Sequence, residues 1–150
     1  MVHSAEPVAL REITAETLRD VLRLEVSEAQ KVFVASNAVS IAQAHFSDNA
    51  WFRAIYAGEM PVGFVMLYIN PAEADYFIWR YMIDARYQGK GYGFQAMQQV
   101  IAYVKTLPNA TSLSVSYQPG KGSPAPFYEK CGFVETDRWL GEEKVMTLNF

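Results

Sequence analysis

Alternating or continuously apolar segments recur along this sequence and predict a β-sheet. Residues 8–13 form the first segment, and residues 51–56 and 62–69 flank the turn-like Ala57-Gly58-Glu59-Met60, which predicts an antiparallel hairpin. Residues 76–83 are rich in aromatic side chains, as is typical of a strand that is buried on at least one face. Three further strands are predicted at residues 113–117, 133–139 and 144–148.

Segments with helical patterns lie between these strands. The clearest has an apolar face formed by Phe94, Met97, Ile101 and Val104, and it ends before Pro108. Further helices are predicted after Thr14 as N-cap, near residues 28–34, near residues 41–46, and at residues 123–130 with Pro124 in the first turn.

The order of these elements predicts a mixed α/β fold in one domain over residues 1–150. No internal repeat, low-complexity tract or linker interrupts the sequence. The length is sufficient to bury a core of its own. We expect antiparallel hairpins on both sides of a strand–helix–strand unit.

Composition and charge narrow the function classes. The formal net charge of −3 at pH 7 argues against a nucleic-acid-binding protein, which usually presents a basic face. Cys131 is the single cysteine, so no intramolecular disulfide can form, as is typical of the cytosol. Residues 62–69 are too short to span a bilayer, and residues 1–6 lack the pattern of a signal peptide. The sequence therefore predicts a cytoplasmic protein without nucleic-acid or membrane partners.

A cluster of glycines marks the candidate for chemistry. Gly89, Gly91 and Gly93 lie between a predicted strand and a predicted helix. The start of a helix carries roughly half a positive charge and unpaired backbone N–H groups, and glycine lets the backbone approach an anion closely. The cluster therefore predicts a phosphate or pyrophosphate site.

Other phosphate-binding loops fit this segment less well. A Walker loop requires glycine where Asp84 stands, and Ser or Thr where Gly91 stands. A Rossmann fingerprint beginning at Gly91 fits in its relaxed form, with Gly93 and Ala96, but no acid follows before Glu129 to bind a ribose. A glycine-rich turn without a ligand remains open at this point.

Two motifs carry a resemblance to a known family. Residues 86–93, Arg-Tyr-Gln-Gly-Lys-Gly-Tyr-Gly, resemble the acyl-CoA loop of the GNAT superfamily of N-acetyltransferases, and residues 127–133 resemble its second signature, Tyr-x-Lys-x-Gly-Phe. The motifs occur in family order, and the element order matches essentially the whole chain. The resemblance implies acetyl-CoA as cosubstrate and the GNAT fold, a central, mostly antiparallel sheet of six to seven strands, splayed in the middle and flanked by about four helices.

The resemblance also implies roles for individual residues. Tyr81, Met82 and Ile83 would pair their backbone with the pantetheine arm and the acetyl carbonyl, and Tyr128 would protonate the departing thiolate. The residues expected to cradle the pyrophosphate are Gln88, Gly89, Lys90, Gly91, Tyr92 and Gly93. Spacing alone leaves open that Tyr128 is a packing residue in a short helix.

The sequence departs from the family pattern at two functional positions. Lys121 stands where the family usually has Asn, so it would approach a CoA phosphate or remain a solvated loop residue. Some relatives carry a catalytic Glu where this chain has Ser114 and Ser116. Asp75 is the acidic candidate for the general base, with a plain turn residue or a water chain as alternatives.

A finer resemblance concerns the acceptor. Residues 26–34, 79–84 and 141–146 are similar to the spermidine and diamine acetyltransferase branch. This resemblance implies that acidic residues hold an ammonium group, and the candidates are Glu28, Asp75, Glu142 and Glu143.

We therefore expect an acetyl-CoA-dependent N-acetyltransferase that acts on a primary amine of a small molecule, such as a polyamine or diamine. The alternatives are acetylation of a protein N-terminus or lysine, and a non-catalytic acyl-CoA-binding module. His3 and His45 are too few and too far apart to predict a metal site. Exposed sheet edges are compatible with a homodimer.

Overall fold

A single seven-stranded sheet forms the centre of the fold. The computed structural model describes residues 6–150. The sheet order is β1-β2-β3-β4-β5-β7-β6, in which β4 and β5 are parallel and the other neighbours antiparallel. The strands are β1 (Val8–Arg11), β2 (Ala50–Ala57), β3 (Met60–Asn70), β4 (Asp75–Ile83), β5 (Ser112–Tyr117), β6 (Val134–Leu140) and β7 (Glu143–Asn149). The predicted mixed α/β class and the mostly antiparallel sheet are confirmed.

Four α-helices flank the sheet, and two of the predicted helical segments need correction. The helices are α1 (Leu18–Leu22), α2 (Asn37–His45), α3 (Tyr92–Lys105) and α4 (Ala125–Lys130). Thr14 is not an N-cap, because α1 begins only at Leu18 and the Thr14 N–H donates to the Thr17 hydroxyl at 2.9 Å. Residues 28–34 contain only the 3-10 turn Gln30–Val32, which buries no residue. None of the residues 28–34 is fully buried and Val32 is 70% exposed, so a longer helix here would gain little packing energy.

Successive side chains of β3 point to opposite faces of the sheet, and they divide the core into two layers. Val65 and Leu67 pack with α3 on one face of the sheet, where Met97 of the helix is fully buried. Phe64 and Met66 pack on the other face with the α1–α2 side of the fold. Because both faces are covered by helices, β3 is apolar along most of its length instead of alternating.

The sheet opens between its two parallel strands. β4 and β5 are paired at Phe77–Ser114 and Ile78–Val115, and beyond these positions the ladder ends. On its other side β4 stays paired with β3, although a bulge shifts the register by one residue at Trp79. The expected splay in the middle of the sheet is confirmed, and it leaves the C-terminal half of β4 with one free edge.

Candidate functional site

A cleft of about 800 Å³ occupies the opening between β4 and β5. Its walls come from both strands beyond their last pair, from the start of α3 and from α4. The segment that joins α1 to α2 closes one side with Gln30, Phe33 and Val34. The site is therefore built where the sheet loses its ladder, so that backbone groups and side chains share one cavity.

The free edge of β4 presents alternate backbone groups to the cleft. The Asp84 N–H donates to Val62 O of β3 at 2.8 Å, so Asp84 and, two residues earlier, Met82 direct their N–H and C=O groups towards β3. Tyr81 and Ile83 consequently direct theirs towards the cleft. Of the three backbone positions predicted to contact a ligand, two have the required direction, and the Ile83 carbonyl already accepts from Gln88 Nε2 at 2.8 Å.

The glycine loop leads from β4 into α3 with unpaired backbone donors. Gly89 and Gly91 have φ of 77° and 86°, a region in which residues with a Cβ are strained. Gly91 precedes the first turn of α3, and Gln95 N–H is bonded to its carbonyl at 3.1 Å. The N–H groups of the residues in between have no partner within the helix, and no side chain caps them. This end of the cleft therefore fits a phosphate group.

Gly93 has a different role from the two glycines before it. A Cβ at this position would lie 3.3 Å from the Phe127 ring and 3.4 Å from the Ile83 side chain. The Tyr81 hydroxyl donates to the Gly93 carbonyl at 2.6 Å, and the Tyr81 ring stacks on Phe127. This glycine allows α3 to pack closely on β4 and α4.

Of the side chains predicted to assist in phosphate binding, that of Gln88 lines the cleft and those of the two lysines do not. Gln88 is bonded to Gln30 across the cleft, through its Nε2 at 2.9 Å and its Oε1 at 3.2 Å. Lys90 and Lys121 are exposed and do not line the cleft, although Gly122 beside Lys121 does. The structure thus brings the backbone of the loop to the cleft more directly than it brings the lysines.

Tyr128 lies in the wall of the cleft on α4. It is 6% exposed, and its ring packs edge-on against Phe127 and Phe133. Within residues 6–150 its hydroxyl has no hydrogen-bond partner. Burial raises the pKa of the Tyr128 phenol, and the neighbouring Cys131 and Glu143 contribute to the same shift. The phenol therefore keeps its proton at neutral pH.

Only one of the predicted acids, among the described residues, lines the cleft. Glu143, the first residue of β7, accepts from the Ser116 hydroxyl of β5 at 2.9 Å. Glu28 is exposed and pairs with Lys31, whose Nζ is 2.7 Å from its carboxylate. Glu142 lies outside the cleft, in the exposed turn between β6 and β7.

Asp75 does not line the cleft. It begins β4 opposite Asn70, whereas the glycine loop follows the other end of this nine-residue strand. At about 3.3 Å per residue, roughly 10 Å separate Asp75 from Ile78, the first residue of β4 that lines the cleft, and roughly 25 Å separate it from Ile83. The structure therefore does not bring Asp75 to the cleft, and the position of Glu143 makes it the better candidate for acid–base chemistry.

Sequence reasoning missed Arg80, which lines the cleft from β4. Its Nη2 donates to Gln43 Oε1 of α2 at 2.9 Å and its Nη1 to the Trp79 carbonyl at 3.0 Å, whereas Nε is buried without a partner among the described residues. Burial lowers the pKa of the guanidinium, and Glu143 opposes this shift. An arginine inside the aromatic segment 76–83 was the signal that could have indicated it.

Asp84 fixes the segment that closes the cleft. Its side chain is 2% exposed and accepts from the Glu25 N–H at 2.9 Å, and it also accepts from the Arg86 N–H and Nε at 2.9 Å each. These bonds tie the start of the α1–α2 segment to the end of β4. The buried carboxylate therefore positions one wall of the cleft relative to the glycine loop.

Two further features concern ligands and location. In the part of the chain that the structure describes, no three His, Cys, Asp or Glu side chains are grouped so that they could hold a metal ion. His3, one of the two histidines of the sequence, lies outside the described residues, as do residues 1–5 of the N-terminal segment that lacks a signal-peptide pattern. Within residues 6–150, none of the helices has the length and apolarity needed to span a bilayer.

The chain is similar to one known protein family and to several solved structures. The model of the acetyltransferase (GNAT) family matches residues 15–133. No curated protein matches the chain significantly. Several solved structures share the fold despite low sequence identity.

Three of these structures illustrate the range of relatives. Spermidine N-acetyltransferase from Vibrio cholerae, in complex with CoA and spermine, has a TM-score of 0.73 at 18% identity, covering 95% of each chain. PaiA N-acetyltransferase from Thermoplasma acidophilum, in complex with coenzyme A, has a TM-score of 0.70 at 16% identity, covering 96% of this chain and 99% of that one. The ribosomal-protein-S18-alanine N-acetyltransferase from Escherichia coli has a TM-score of 0.70 at 11% identity, covering 95% and 94%. At such identities the likeness establishes the shared fold.

Proposed function

This chain belongs to the GNAT acetyltransferase family and uses acetyl-CoA as cosubstrate, and we propose that it transfers the acetyl group to a primary amine of a small molecule. The observation that carries the proposal is the cleft at the opening between β4 and β5, which joins unpaired backbone donors, a protonated phenol and a carboxylate. Over residues 1–150 we propose one catalytic domain.

The residues of the cleft fit acetyl-CoA. The unpaired N–H groups at the start of α3 would hold the pyrophosphate, because Gly89 and Gly91 leave the backbone open to an anion. The backbone groups of Tyr81 and Ile83 that face the cleft would pair with the amide-bearing pantetheine arm. Acetyl-CoA supplies an activated acyl carbon and a thiolate leaving group at this position.

Tyr128 and the edge of β4 would act on the two atoms that gain negative charge. As the amine nitrogen bonds to the acyl carbon, a backbone N–H of β4 that faces the cleft would stabilise charge on the carbonyl oxygen. As the carbon–sulfur bond breaks, the Tyr128 phenol would give its proton to the sulfur, and the nitrogen that becomes the amide would release its extra proton through water, which restores the phenol. The phenol carries this proton at neutral pH, because its ordinary pKa is near 10 and burial raises it further.

Glu143 would bind the acceptor as an ammonium and take its proton. An alkyl amine, with a pKa near 10.4 in lysine, is mostly protonated at neutral pH and cannot attack until it loses a proton. The Ser116 hydroxyl, at 2.9 Å from the Glu143 carboxylate, fixes the direction of this group. An aligned carboxylate in the cleft favours a catalytic role over a module that only binds acyl-CoA.

The polyamine hypothesis rests on the branch resemblance and on Glu143. The spermidine N-acetyltransferase neighbour supports it at the level of the fold. Glu28, Glu142 and Asp75 lend it no support, because they lie outside the cleft. A polyamine is therefore one class of amine to be tested, and a peptide N-terminus, as in the S18-alanine neighbour, is another.

A panel of amines tests the proposed function. The protein is incubated with acetyl-CoA and, separately, with spermidine, short diamines, amino acids and a lysine-containing peptide, and release of the CoA thiol is followed. We expect acceptor-dependent thiol release with at least one small amine, faster than with the peptide. Faster acetylation of the peptide, or acetyl-CoA binding without thiol release from any amine, would contradict the proposal.

A further inference from the structure

Two opposite charges face the cleft without neutralising one another. Arg80 lines it from β4 and Glu143 from β7. Among residues 6–150 neither side chain has an ion-pair partner within 4.0 Å, although Glu143 is near enough to influence the pKa of Arg80. Two lysines also line the cleft, but Lys31 is paired with Glu25 and Glu28, and Lys130 lies over the Phe94 ring. Arg80 and Glu143 are therefore the cation and the anion of the cleft that are considered for the acceptor.

The hydrogen bonds of Arg80 are also incomplete. A guanidinium has five N–H donors, and the described residues accept from its Nη1 and its Nη2 once each. Its Nε is buried and has no acceptor. Leaving a buried polar atom unpaired is costly, and burying a charge without a partner is more so. Because Nε is not accessible from the cleft, a ligand there would be bound by the remaining N–H groups of Nη1 and Nη2, and the bond to Gln43 holds the guanidinium in place.

We propose that Arg80 binds a carboxylate of the acceptor while Glu143 binds its amine, so that the preferred acceptors are small amino acids. The planar guanidinium matches a carboxylate in geometry and charge, and paired N–H···O bonds of this kind are among the strongest in proteins. A diamine of the same length would bring a second ammonium towards Arg80 and be repelled. This inference rests on the proposed function and selects among its amine classes.

Matched pairs of acceptors test the inference. Diamines are compared with ω-amino acids of the same chain length, over a series of lengths, and α-amino acids are included as the shortest separation of charges. Each is assayed for kcat and KM with the parent protein, Arg80→Gln and Arg80→Lys. Arg138→Gln serves as the control, because Arg138 is exposed on β6 and outside the cleft.

We expect the parent to prefer an amino acid over the matched diamine by tenfold or more in kcat/KM. Losing a hydrogen bond to a charged group weakens binding by about 10- to 100-fold, so Arg80→Gln should raise KM for the amino acid by that factor. The KM for the matched diamine should stay the same or fall. Arg80→Lys should recover part of the loss, and Arg138→Gln should behave as the parent.

Two results would overturn the inference, and they are distinguishable. If diamines are preferred at every length, or if Arg80→Gln slows acetylation of both classes equally, then Arg80 does not bind a carboxylate of the acceptor. The assignment as an acetyltransferase would still stand in that case. If no amine of either class is acetylated by the parent, the proposed function itself fails. The parent comparison does not depend on the variants, so a misfolded Arg80→Gln protein leaves the test intact.

Discussion

Removing the Tyr128 hydroxyl separates catalysis from packing. In Tyr128→Phe the ring contacts with Phe127 and Phe133 are kept, and the hydroxyl has no partner among residues 6–150, so the free energy of unfolding should change little. If this phenol protonates the thiolate, its loss should lower kcat by about 10²–10⁴-fold. That factor corresponds to roughly 3–5 kcal/mol in the activation free energy. The affinity for acetyl-CoA should remain close to that of the parent.

The matched control is Tyr76→Phe. Tyr76 is buried on β4, outside the cleft, and its hydroxyl donates to the Pro108 carbonyl. Its loss should cost about 1 kcal/mol of stability, or a few degrees in Tm, with kcat unchanged. Thiol release and thermal melts of both variants provide the measurement. A Tyr128→Phe protein with the kcat of the parent would show that Tyr128 is a packing residue and refute the reasoning.

Other variants test the loop, the acceptor site and the wall of the cleft. Gly91→Ala places a side chain at φ near 86°, which costs about 1–2 kcal/mol of backbone strain, so the variant should bind acetyl-CoA more weakly in calorimetry. The control Gly141→Ala, at φ of 59° in the β6–β7 turn, should lower the stability of the fold and leave acetyl-CoA binding unchanged. Glu143→Gln should lower kcat/KM for the amine tenfold or more, with a smaller loss at high pH, where the amine is already neutral; an equal loss at every pH would contradict its role as base. Burial raises the pKa of Asp84, but bonds from Arg86 and two backbone N–H groups outweigh this and lower it below 3.8. The stability that the Asp84 carboxylate contributes is therefore present above pH 3.8 and is lost as the pH falls through the lower pKa of the folded state. Asp84→Asn should lower the free energy of unfolding by about 1.5–3 kcal/mol at pH 7 and weaken its dependence on pH in the acid range, as measured by denaturant titrations. An unchanged pH dependence in the acid range would contradict this.

Local sequence patterns predicted most of the fold, because most helices and strands bury an apolar face that is visible in their own sequence. β3, β4 and α3 have apolar residues at positions that the sheet or helix period requires, and their bounds differ from the prediction by two residues or fewer. The segment 28–34 has no buried face, so its shape depends on contacts with the rest of the fold. Its bond from Gln30 to Gln88 spans 58 residues and has no local signal.

The sequence predicted the glycine loop that borders the cleft, but it did not predict which charged side chains enter the cleft. Gly89 and Gly91 adopt positive φ before α3. Closely spaced glycines before a helical segment are visible in the sequence, so this part of the cleft could be predicted. Which acid enters the cleft depends on the direction of strands: Asp75 and the glycine loop lie at opposite ends of β4, whereas Glu143 reaches the cleft because β7 pairs with β5. Arg80 lines the cleft because the β4–β5 ladder ends before it, and no local sequence pattern indicates where that ladder ends.

Transfer of the acetyl group to an amine is the reaction that defines the proposed enzyme, and it can be followed with an isotope label. Acetyl-CoA labelled with heavy carbon in its acetyl group is incubated with the protein and the amine panel, and the products are identified by mass spectrometry. We predict a labelled N-acetyl product of a small primary amine, formed by the parent and reduced by at least a hundredfold in Tyr128→Phe. Labelled acetyl-CoA that binds to the protein but never passes its label to an amine would contradict the central claim.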